Sequence, residues 1–346
     1  MEGKMRFPAW IGKGDTIGFV APSFGCAIEP YRSAFNNSLK KWQEKGFSVK
    51  LGPNCYAAEG IGISNTPKKC AEEFVSYYTK DDTSALISCG GGELMCEVVS
   101  YIDFCELANA KPKWFMGYSD NTNIIFLLTT LADTAAIYGP NAASFGMEPW
   151  HNSIADSYRL LMGEQKSVHN YSLWEKDSLK DEEHPLEPYH VTEPFSMKMW
   201  PEQQEVQLEG RFIGGCLDCL SHLVGTRFDQ VASSFIPKYK EDGFIWFLES
   251  CELNVMDMRR VLWNLKEAGW FQYVKGFLIG RPGQYDQPMM GLDQYEAVCG
   301  ILKEYHVPIL MDLDIGHVAP AMPLISGAMA TVRASANALE IQMELR

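Results

Sequence analysis

The chain has 346 residues, a length at which two domains are the default expectation for a globular protein. Its composition, 46% hydrophobic and 21% charged, is that of an ordinary soluble protein. The formal net charge of -14 argues against nucleic acid polymers and anionic membrane surfaces as partners, because both are themselves negatively charged.

The N-terminal sequence and the cysteines together predict a cytoplasmic protein. Residues 1–10 are too polar for a signal peptide, and no run approaches the roughly 18 apolar residues of a membrane span. Ten scattered cysteines without a secretory signal predict reduced thiols. Only Cys216 and Cys219 have C-x-x-C spacing, and no second pair of cysteines or histidines lies near them, which argues against zinc. We expect no metal and no other cofactor.

The first half of the chain alternates predicted strands and helices. Strands are predicted within residues 13–22 and at 47–51, 85–88, 114–116 and 136–141, and helices at 31–45, 67–78, 94–102 and from 123 onward. This alternation predicts an α/β fold with a parallel sheet covered by helices on both faces. Ligands of such sheets bind beyond the carboxyl ends of the strands. The loop at Ser23, the glycine loop at 90–92 and Ser119 should all lie on that edge.

The middle of the chain, residues 166–207, has a different character. It is polar and rich in proline, with little periodicity, and is predicted to be a linker and substrate loop. Trp174 and Trp200 lie in this segment and either anchor it or stack on a ligand. Pro201 restricts the backbone of Trp200, which favours Trp200 as the stacking residue.

The remaining residues, 208–346, are predicted to form a second domain. Its predicted helices are at 217–224, 257–268 and 292–305, its strands at 243–249, 276–280 and 307–312, and a terminal hairpin pairs 328–333 with 338–343. The chain should therefore divide into an N-terminal domain at 1–165, the linker at 166–207 and a C-terminal domain at 208–346.

Ser119 lies between a predicted strand and a predicted helix. Gly117 permits a tight backbone path after the strand, and Asn121 or Thr122 can cap the helix. Strand, sharp turn and helix form a geometry that exposes a nucleophile, and free N–H groups at the helix N-terminus favour developing negative charge. The alternative is that Ser119 only caps the helix, as most serines in this setting do.

A serine nucleophile needs a base, usually a histidine oriented by a carboxylate. Among the seven histidines, His317 stands out because it follows a strand end and Gly316, in a rigid loop position of the kind that carries site residues. Glu249 ends an apolar strand, where a buried carboxylate needs a partner. A strand-end glutamate that faces water is the alternative.

The glycines at 90–92 could cradle a phosphate, although they lack the spacing of a phosphate-binding motif. They could instead lend an N–H group to an oxyanion hole, with the N–H of Asp120, the residue after the nucleophile, as the second donor.

Three segments together resemble the signature of the LD-carboxypeptidase family of serine peptidases. They are Gly-Tyr-Ser-Asp-Asn-Thr at 117–122, Phe-Leu-Glu-Ser at 247–250 and Asp-Ile-Gly-His at 314–317. The resemblance covers nearly the whole chain. Tyr-Ile-Asp-Phe at 101–104 and the chain length look more like the microcin C immunity branch than the shorter murein LD-carboxypeptidases.

This resemblance implies the roles of individual residues. Ser119 would be the nucleophile, His317 the base and Glu249 the residue that orients the base. Gly91 or Gly92, together with Asp120, would supply the oxyanion hole.

The resemblance also implies an architecture and an assembly. The N-terminal domain should resemble class I glutamine amidotransferases, and the smaller C-terminal domain should be a β-rich swivelling domain. Members are usually cytoplasmic homodimers without a metal. The chain departs from the family at Ser250, where aspartate is usual, and at Cys216, where asparagine is usual. Both positions flank the cleft, so Cys216 joins Trp174 and Trp200 as a candidate substrate-binding residue.

The expected function is a serine carboxypeptidase that hydrolyses an amide next to a free carboxylate. Its substrate would be a small peptide or a peptidyl- or aminoacyl-nucleotide of the microcin C type. One alternative is a murein tetrapeptide L,D-carboxypeptidase of peptidoglycan recycling. Two further alternatives are an inactive small-molecule binding module and an amidotransferase-like enzyme with a cysteine nucleophile. The last is weak because Cys89, the nearest loop cysteine, precedes the glycine run.

Overall fold

The computed structural model describes residues 4–346. In chain order, its strands are β1 (Thr16–Val20), β2 (Ser48–Leu51), β3 (Ala85–Ser88), β4 (Trp114–Gly117), β5 (Ala136–Tyr138), β6 (Ser167–His169), β7 (Leu173–Glu175), β8 (Val191–Pro194), β9 (Lys198–Trp200), β10 (Glu205–Cys216), β11 (Phe244–Glu249), β12 (Val274–Gly280), β13 (Ile309–Leu313), β14 (Leu324–Ser326), β15 (Met329–Ser335) and β16 (Ala338–Glu344). Its α-helices are α1 (Tyr31–Glu44), α2 (Pro67–Thr79), α3 (Met95–Val98), α4 (Phe104–Asn109), α5 (Thr122–Ala132), α6 (Asn152–Leu161), α7 (Leu217–Leu223), α8 (Ile236–Tyr239), α9 (Val255–Glu267) and α10 (Gln294–Leu302).

A first sheet of six strands has the order β14-β5-β4-β3-β1-β2. The five strands from the first half of the chain are parallel to one another, and β14 joins the edge antiparallel to β5. Strands β3 and β4 are buried at every position, as expected for parallel strands covered on both faces. The predicted parallel sheet is confirmed, and the carboxyl ends of its strands lie on one edge.

A second sheet of eight strands has the order β6-β16-β15-β10-β11-β12-β13-β9. Its central strands, β10 to β13, are parallel, and the flanking strands are antiparallel. The predicted terminal hairpin is confirmed as β15 and β16. The molecule therefore combines a parallel α/β region with a second, β-rich region.

Helix α5 links the two sheets. Nearly all of its residues are buried, and it packs on β4 and β5 of the first sheet and on β10 of the second. A helix that is apolar all round is stable only when it is covered on every side. The start of this helix, where Ser119 lies, is therefore fixed relative to both sheets.

The segment at 166–207 is more regular than a linker or long loop. Strand β6 pairs with β16, and β9 pairs with β13, so both ends of the segment belong to the second sheet. Strands β7 and β8 form a separate two-stranded sheet. The proline content and weak periodicity of the segment do not indicate these strands, each of which is only three or four residues long. Two of them also pair with strands far away in the sequence, which a local pattern does not reveal. In residues 4–346, no helix is long and apolar enough to cross a membrane.

Candidate active site

Ser119 occupies a strained turn between β4 and α5. Its backbone has φ +65°, in the left-handed region that costs a residue other than glycine about 1–3 kcal/mol. The Asn121 side chain holds this turn, since its Nδ2 donates to the carbonyls of Gly90 and Tyr118, at 2.8 and 3.0 Å. Asn121 makes no side-chain cap to α5, so its predicted capping role is wrong. The amide instead ties the serine turn to the glycine loop.

The glycine loop contacts the serine directly. A Cβ on Gly91 would lie 2.9 Å from both Cβ and Oγ of Ser119, and a Cβ on Gly92 would lie 2.0 Å from Oγ of Ser23. The Ser23 hydroxyl in turn donates to the carboxylate of Asp120, at 2.5 Å. A side chain at 91 would therefore push against Ser119, and one at 92 would push against Ser23. Of the three candidate oxyanion-hole residues, Gly91 lies against the Ser119 hydroxyl, Asp120 follows Ser119 in the chain, and Gly92 lines two cavities together with Ser119.

Glu249 and His317 form a hydrogen-bonded pair at the carboxyl edge of the second sheet, where Glu249 ends β11 and the half-buried His317 lies in the loop after β13, two strands away. Glu249 is the last residue of β11 and is 1% exposed, and its Oε2 lies 2.7 Å from Nδ1 of His317. Burial opposes the charge on Glu249, but His317 and hydrogen bonds from Tyr138 and Cys216 lower its pKa. Burial likewise opposes the imidazolium, but the Glu249 charge and contacts with Cys251 raise the pKa of His317 well above its usual value. The lowered pKa of Glu249 and the raised pKa of His317 are consistent with each other, because each charged group stabilises the charge of the other.

Ser119 and His317 line one cavity of about 410 Å³, which we call the central cavity. Gly91 and Gly92 also line it. The Nε2 atom of His317 is buried and has no hydrogen-bond partner among the described residues. The serine and imidazole are thus not hydrogen-bonded to each other, as is common when a site holds no substrate.

Comparison with known proteins identifies the family. The LD-carboxypeptidase N-terminal domain matches residues 17–139, and the LD-carboxypeptidase C-terminal domain matches residues 209–332, which together span more than half of the chain. The chain belongs to the LD-carboxypeptidase family. It is therefore a serine-type carboxypeptidase, and the resemblance of its three sequence segments to this family is confirmed.

Individual relatives align over almost the full chain. The Escherichia coli microcin C7 self-immunity protein MccF is 26% identical over 326 residues, 92% of this chain and 90% of its own length. A Bacillus subtilis protein named as a probable murein peptide carboxypeptidase is 24% identical over 348 residues, which cover 97% of this chain and 94% of its own length.

Solved structures share the fold. An MccF-like protein from Bacillus anthracis superimposes with a TM-score of 0.81 at 23% identity, covering 98% of this chain and all of the other. MccF in complex with aspartyl sulfamoyl adenosine gives a TM-score of 0.80 at 23% identity, covering 98% of each chain.

Tyr138 is a site residue of this carboxypeptidase that sequence reasoning missed. Its hydroxyl donates to Oε1 of Glu249 at 2.5 Å and accepts from the backbone N–H of Ser119 at 3.4 Å. Burial, followed by the Glu249 charge, raises the pKa of Tyr138 well above its usual value, so the phenol stays protonated and can donate. Its position at the carboxyl end of a predicted strand was the available signal.

Cys216 also contacts the Glu249–His317 pair. It ends β10 in register with Glu249 on β11, and its sulfur, a Glu249 oxygen and a His317 ring nitrogen lie within 4.8 Å of one another. These are zinc-ligand types, but a cysteine binds metal as the thiolate. Burial and the neighbouring thiol of Cys219 raise the pKa of Cys216 well above its usual value, so it is a thiol at neutral pH. The neutral thiol donates to Oδ2 of Asp218 at 3.3 Å, an arrangement that suits a thiol beside Glu249 better than a metal ligand.

The two candidate tryptophans lie in different places. Trp174, on β7, lines a cavity of about 620 Å³ together with His317, Tyr138, Tyr189 and Tyr285, which we call the aromatic cavity. The Trp174 ring meets Tyr285 edge-on at 5.4 Å. Trp200 instead lies on β9, opposite Ile309 of β13, and lines none of the three cavities described in this subsection.

A third cavity, of about 350 Å³, is also lined by Ser119. Five acidic residues line it, and we call it the acidic cavity: Glu93, Asp120, Asp218, Glu252 and Asp257. Cys216 and Cys219 are also in its wall. Ser119 lines both the acidic and the central cavity, whereas His317 lines both the central and the aromatic cavity.

Proposed function

We propose that this carboxypeptidase hydrolyses the amide of a peptidyl- or aminoacyl-nucleotide of the microcin C type. Ser119 is the nucleophile, His317 the general base and Glu249 the residue that orients His317. The observation that carries the proposal is the Glu249–His317 pair, whose Nε2 has no hydrogen-bond partner among the described residues, beside a cavity that His317 and Ser119 both line.

The reaction follows from the free imidazole nitrogen. As Oγ of Ser119 attacks the carbonyl carbon, Nε2 of His317 takes its proton, and Glu249 stabilises the resulting imidazolium. Backbone N–H groups of the glycine loop and of Asp120 stabilise the oxyanion. The imidazolium then gives its proton to the leaving nitrogen, and the acyl–nitrogen bond breaks. A water molecule, deprotonated by His317, hydrolyses the acyl-enzyme and restores Ser119.

The aromatic cavity supports a nucleotide as the leaving group. A nucleobase has a flat face, and stacking on an aromatic side chain is worth about 1–3 kcal/mol. Trp174 lines this cavity, and Arg281 lies over its ring at 5.1 Å from the centroid. MccF has been solved with aspartyl sulfamoyl adenosine, and an MccF-like protein of Streptococcus pneumoniae with AMP. We therefore assign the stacking role to Trp174 and not to Trp200.

The test compares a nucleotide conjugate with a murein peptide. The kcat/KM values for leucyl sulfamoyl adenosine and for a murein tetrapeptide are measured with wild type, Trp174→Ala and Trp200→Ala. We expect Trp174→Ala to raise KM for the conjugate about 5- to 150-fold, from the stacking energy, and Trp200→Ala to change it much less. Cleavage of the tetrapeptide alone would favour the murein L,D-carboxypeptidase function, and equal losses on both substrates in Trp174→Ala would rule out stacking.

The assembly and its location are also part of the proposal. The family resemblance supports a cytoplasmic homodimer, with an N-terminal domain at 1–165, a connecting segment at 166–207 and a C-terminal domain at 208–346. Light scattering of the purified chain should give the mass of two copies, and a monomeric mass at micromolar concentration would contradict the homodimer.

A further inference from the structure

The acidic cavity carries an excess of negative charge beside the nucleophile. Of the residues that line it, Glu93 and Glu252 make no side-chain hydrogen bond or ion pair within residues 4–346, and no lysine or arginine of the described chain lines it. Partial burial, with the nearby charges of Glu252 and Asp218, raises the pKa of Glu93. Carboxylates held together in this way gain from a cation between them.

The same wall contains a buried side-chain amide whose oxygen receives no hydrogen bond from the described residues. Asn123 is 1% exposed, and its Nδ2 donates to the backbone and side-chain oxygens of Asp120, at 2.8 and 3.0 Å. Its own Oδ1 has no hydrogen-bond partner in the described part of the chain. A buried acceptor without a donor is unfavourable, so a donor from a ligand in the cavity would stabilise it. Asn123 thus points independently to a ligand that donates hydrogen bonds.

The chemistry of the reaction identifies the part of the substrate that enters this cavity. The leaving nitrogen must come within reach of His317, which receives and then returns the proton, so the leaving group belongs on the side lined by His317, in the aromatic cavity. The acidic cavity is lined by Ser119 and not by His317. It therefore faces the acyl group, which stays on Ser119 after the first step.

We propose that the acidic cavity selects an acyl group that carries a positive charge, such as a lysyl, ornithyl or arginyl residue. Glu93 and Glu252 attract the cation, and Oδ1 of Asn123 accepts a hydrogen bond from it. The proposal rests on the proposed function for the position of the scissile amide. It separates this enzyme from the specificity suggested by the solved MccF complexes, which contain aspartyl sulfamoyl adenosine and glutamyl sulfamoyl guanosine. An acidic acyl group in this cavity would meet like charges, which is unfavourable.

Binding to an inactive enzyme tests the charge preference directly. The Kd values of lysyl, leucyl and glutamyl sulfamoyl adenosine are measured by calorimetry on Ser119→Ala. We expect the lysyl conjugate to bind at least about tenfold more tightly than the glutamyl conjugate, from one or two charge contacts in a partly solvated cavity. Adding Glu93→Gln and Glu252→Gln should bring that ratio close to one. N-acetylated conjugates distinguish the side-chain ammonium from the α-amine as the bound cation.

The matched control is Glu241→Gln, which removes one charge from an exposed position outside the cavity and should leave the ratio unchanged. Equal or tighter binding of the glutamyl conjugate, or a ratio unaffected by the two cavity substitutions, would overturn the proposal. The ratio of the wild-type kcat/KM values for the lysyl and glutamyl conjugates tests the same charge preference without the Ser119→Ala substitution. If wild type cleaves none of the conjugates, the proposed function fails, and the binding ratio still decides the charge preference.

Discussion

At the scale of single residues, the proposed mechanism makes activity depend on the protonation state of His317. Only the neutral imidazole can take the serine proton, and the pKa of His317 is raised, chiefly by Glu249 against the effect of burial. A raised pKa keeps the imidazole protonated to a higher pH. The active form should therefore be lost as the pH falls, beginning above the ordinary value of about 6.5.

The pH profile of kcat/KM checks this expectation. For wild type we expect the acid limb to lie above about pH 6.5. Glu249→Gln should move that limb to lower pH, because the charge that stabilises the imidazolium is gone, and should lower the plateau because His317 is no longer oriented. A flat wild-type profile between about pH 5 and 8 would be incompatible with a histidine base.

Because Tyr138 contacts both Glu249 and the backbone of Ser119, we expect it to position these two groups for the proposed reaction. Tyr138→Phe removes the hydrogen bond to Oε1 of Glu249 and the contact with the N–H of Ser119. A hydrogen bond to a charged group is worth about 1.5–3 kcal/mol, so we expect kcat to fall at least about tenfold and the acid limb of the pH profile to move.

Tyr171→Phe is the matched control for Tyr138→Phe. Tyr171 also donates its hydroxyl to a buried carboxylate, that of Asp156, but it lines none of the three cavities. The Tyr171→Phe substitution should lower the melting temperature without moving the pH profile. If Tyr138→Phe lowers only the melting temperature, in the same way as the control, then Tyr138 has no positioning role.

At the scale of elements, the sequence predicted the regular parts of the fold well. Strands such as β3 and β4 are continuous apolar runs between turns, and helices such as α2 carry their own start signal, since Pro67 follows the capping residue Thr66. These signals are local. Strands β6 and β9 were missed because their stability comes from pairing with β16 and β13, which no local pattern reveals.

The same difference between local and long-range signals explains which residues of the candidate site the sequence predicted. Ser119 lies at a strand–helix turn, Glu249 ends a strand and His317 lies in the loop after a strand, and their order resembles that of a known family. Tyr138 was missed because its partner Glu249 is 111 residues away in the sequence. The Asn121 amide was misjudged as a cap because its true partner, the Gly90 carbonyl, lies in another loop.

The close approach of the glycine loop to the serine turn gives a prediction at this scale. Gly91→Ala places a methyl group against Cβ and Oγ of Ser119, at 2.9 Å in the present geometry, so either the loop or the serine must move. Because misplacement of a reacting group by about 1 Å can cost about 100-fold in rate, we expect a fall of that order in kcat/KM.

Gly12→Ala is the control for this substitution, since a Cβ there meets no atom within 4 Å among the described residues. It should leave kcat/KM unchanged. Wild-type activity in Gly91→Ala would mean that the glycine loop does not constrain the candidate nucleophile.

At the scale of the whole molecule, the candidate site exists because two sheets meet. Ser119 and Tyr138 come from the ends of strands in the first sheet, whereas Glu249 and His317 follow strands of the second. Helix α5, packed on both sheets, and β14, which returns to pair with β5, hold the two halves together. The hydrogen bond from Tyr138 to Glu249 crosses the same boundary. Catalysis should therefore depend on the relative position of the two halves.

One measurement tests most directly whether Ser119 is the nucleophile of this site. Purified wild type and Ser119→Ala are compared for the release of sulfamoyl adenosine from leucyl sulfamoyl adenosine, with matching circular dichroism spectra as the check on folding. Loss of the nucleophile in another serine protease costs on the order of 10⁶ in kcat, so we predict that Ser119→Ala falls to the uncatalysed background. Release by Ser119→Ala at a rate close to that of wild type would contradict Ser119 as the nucleophile.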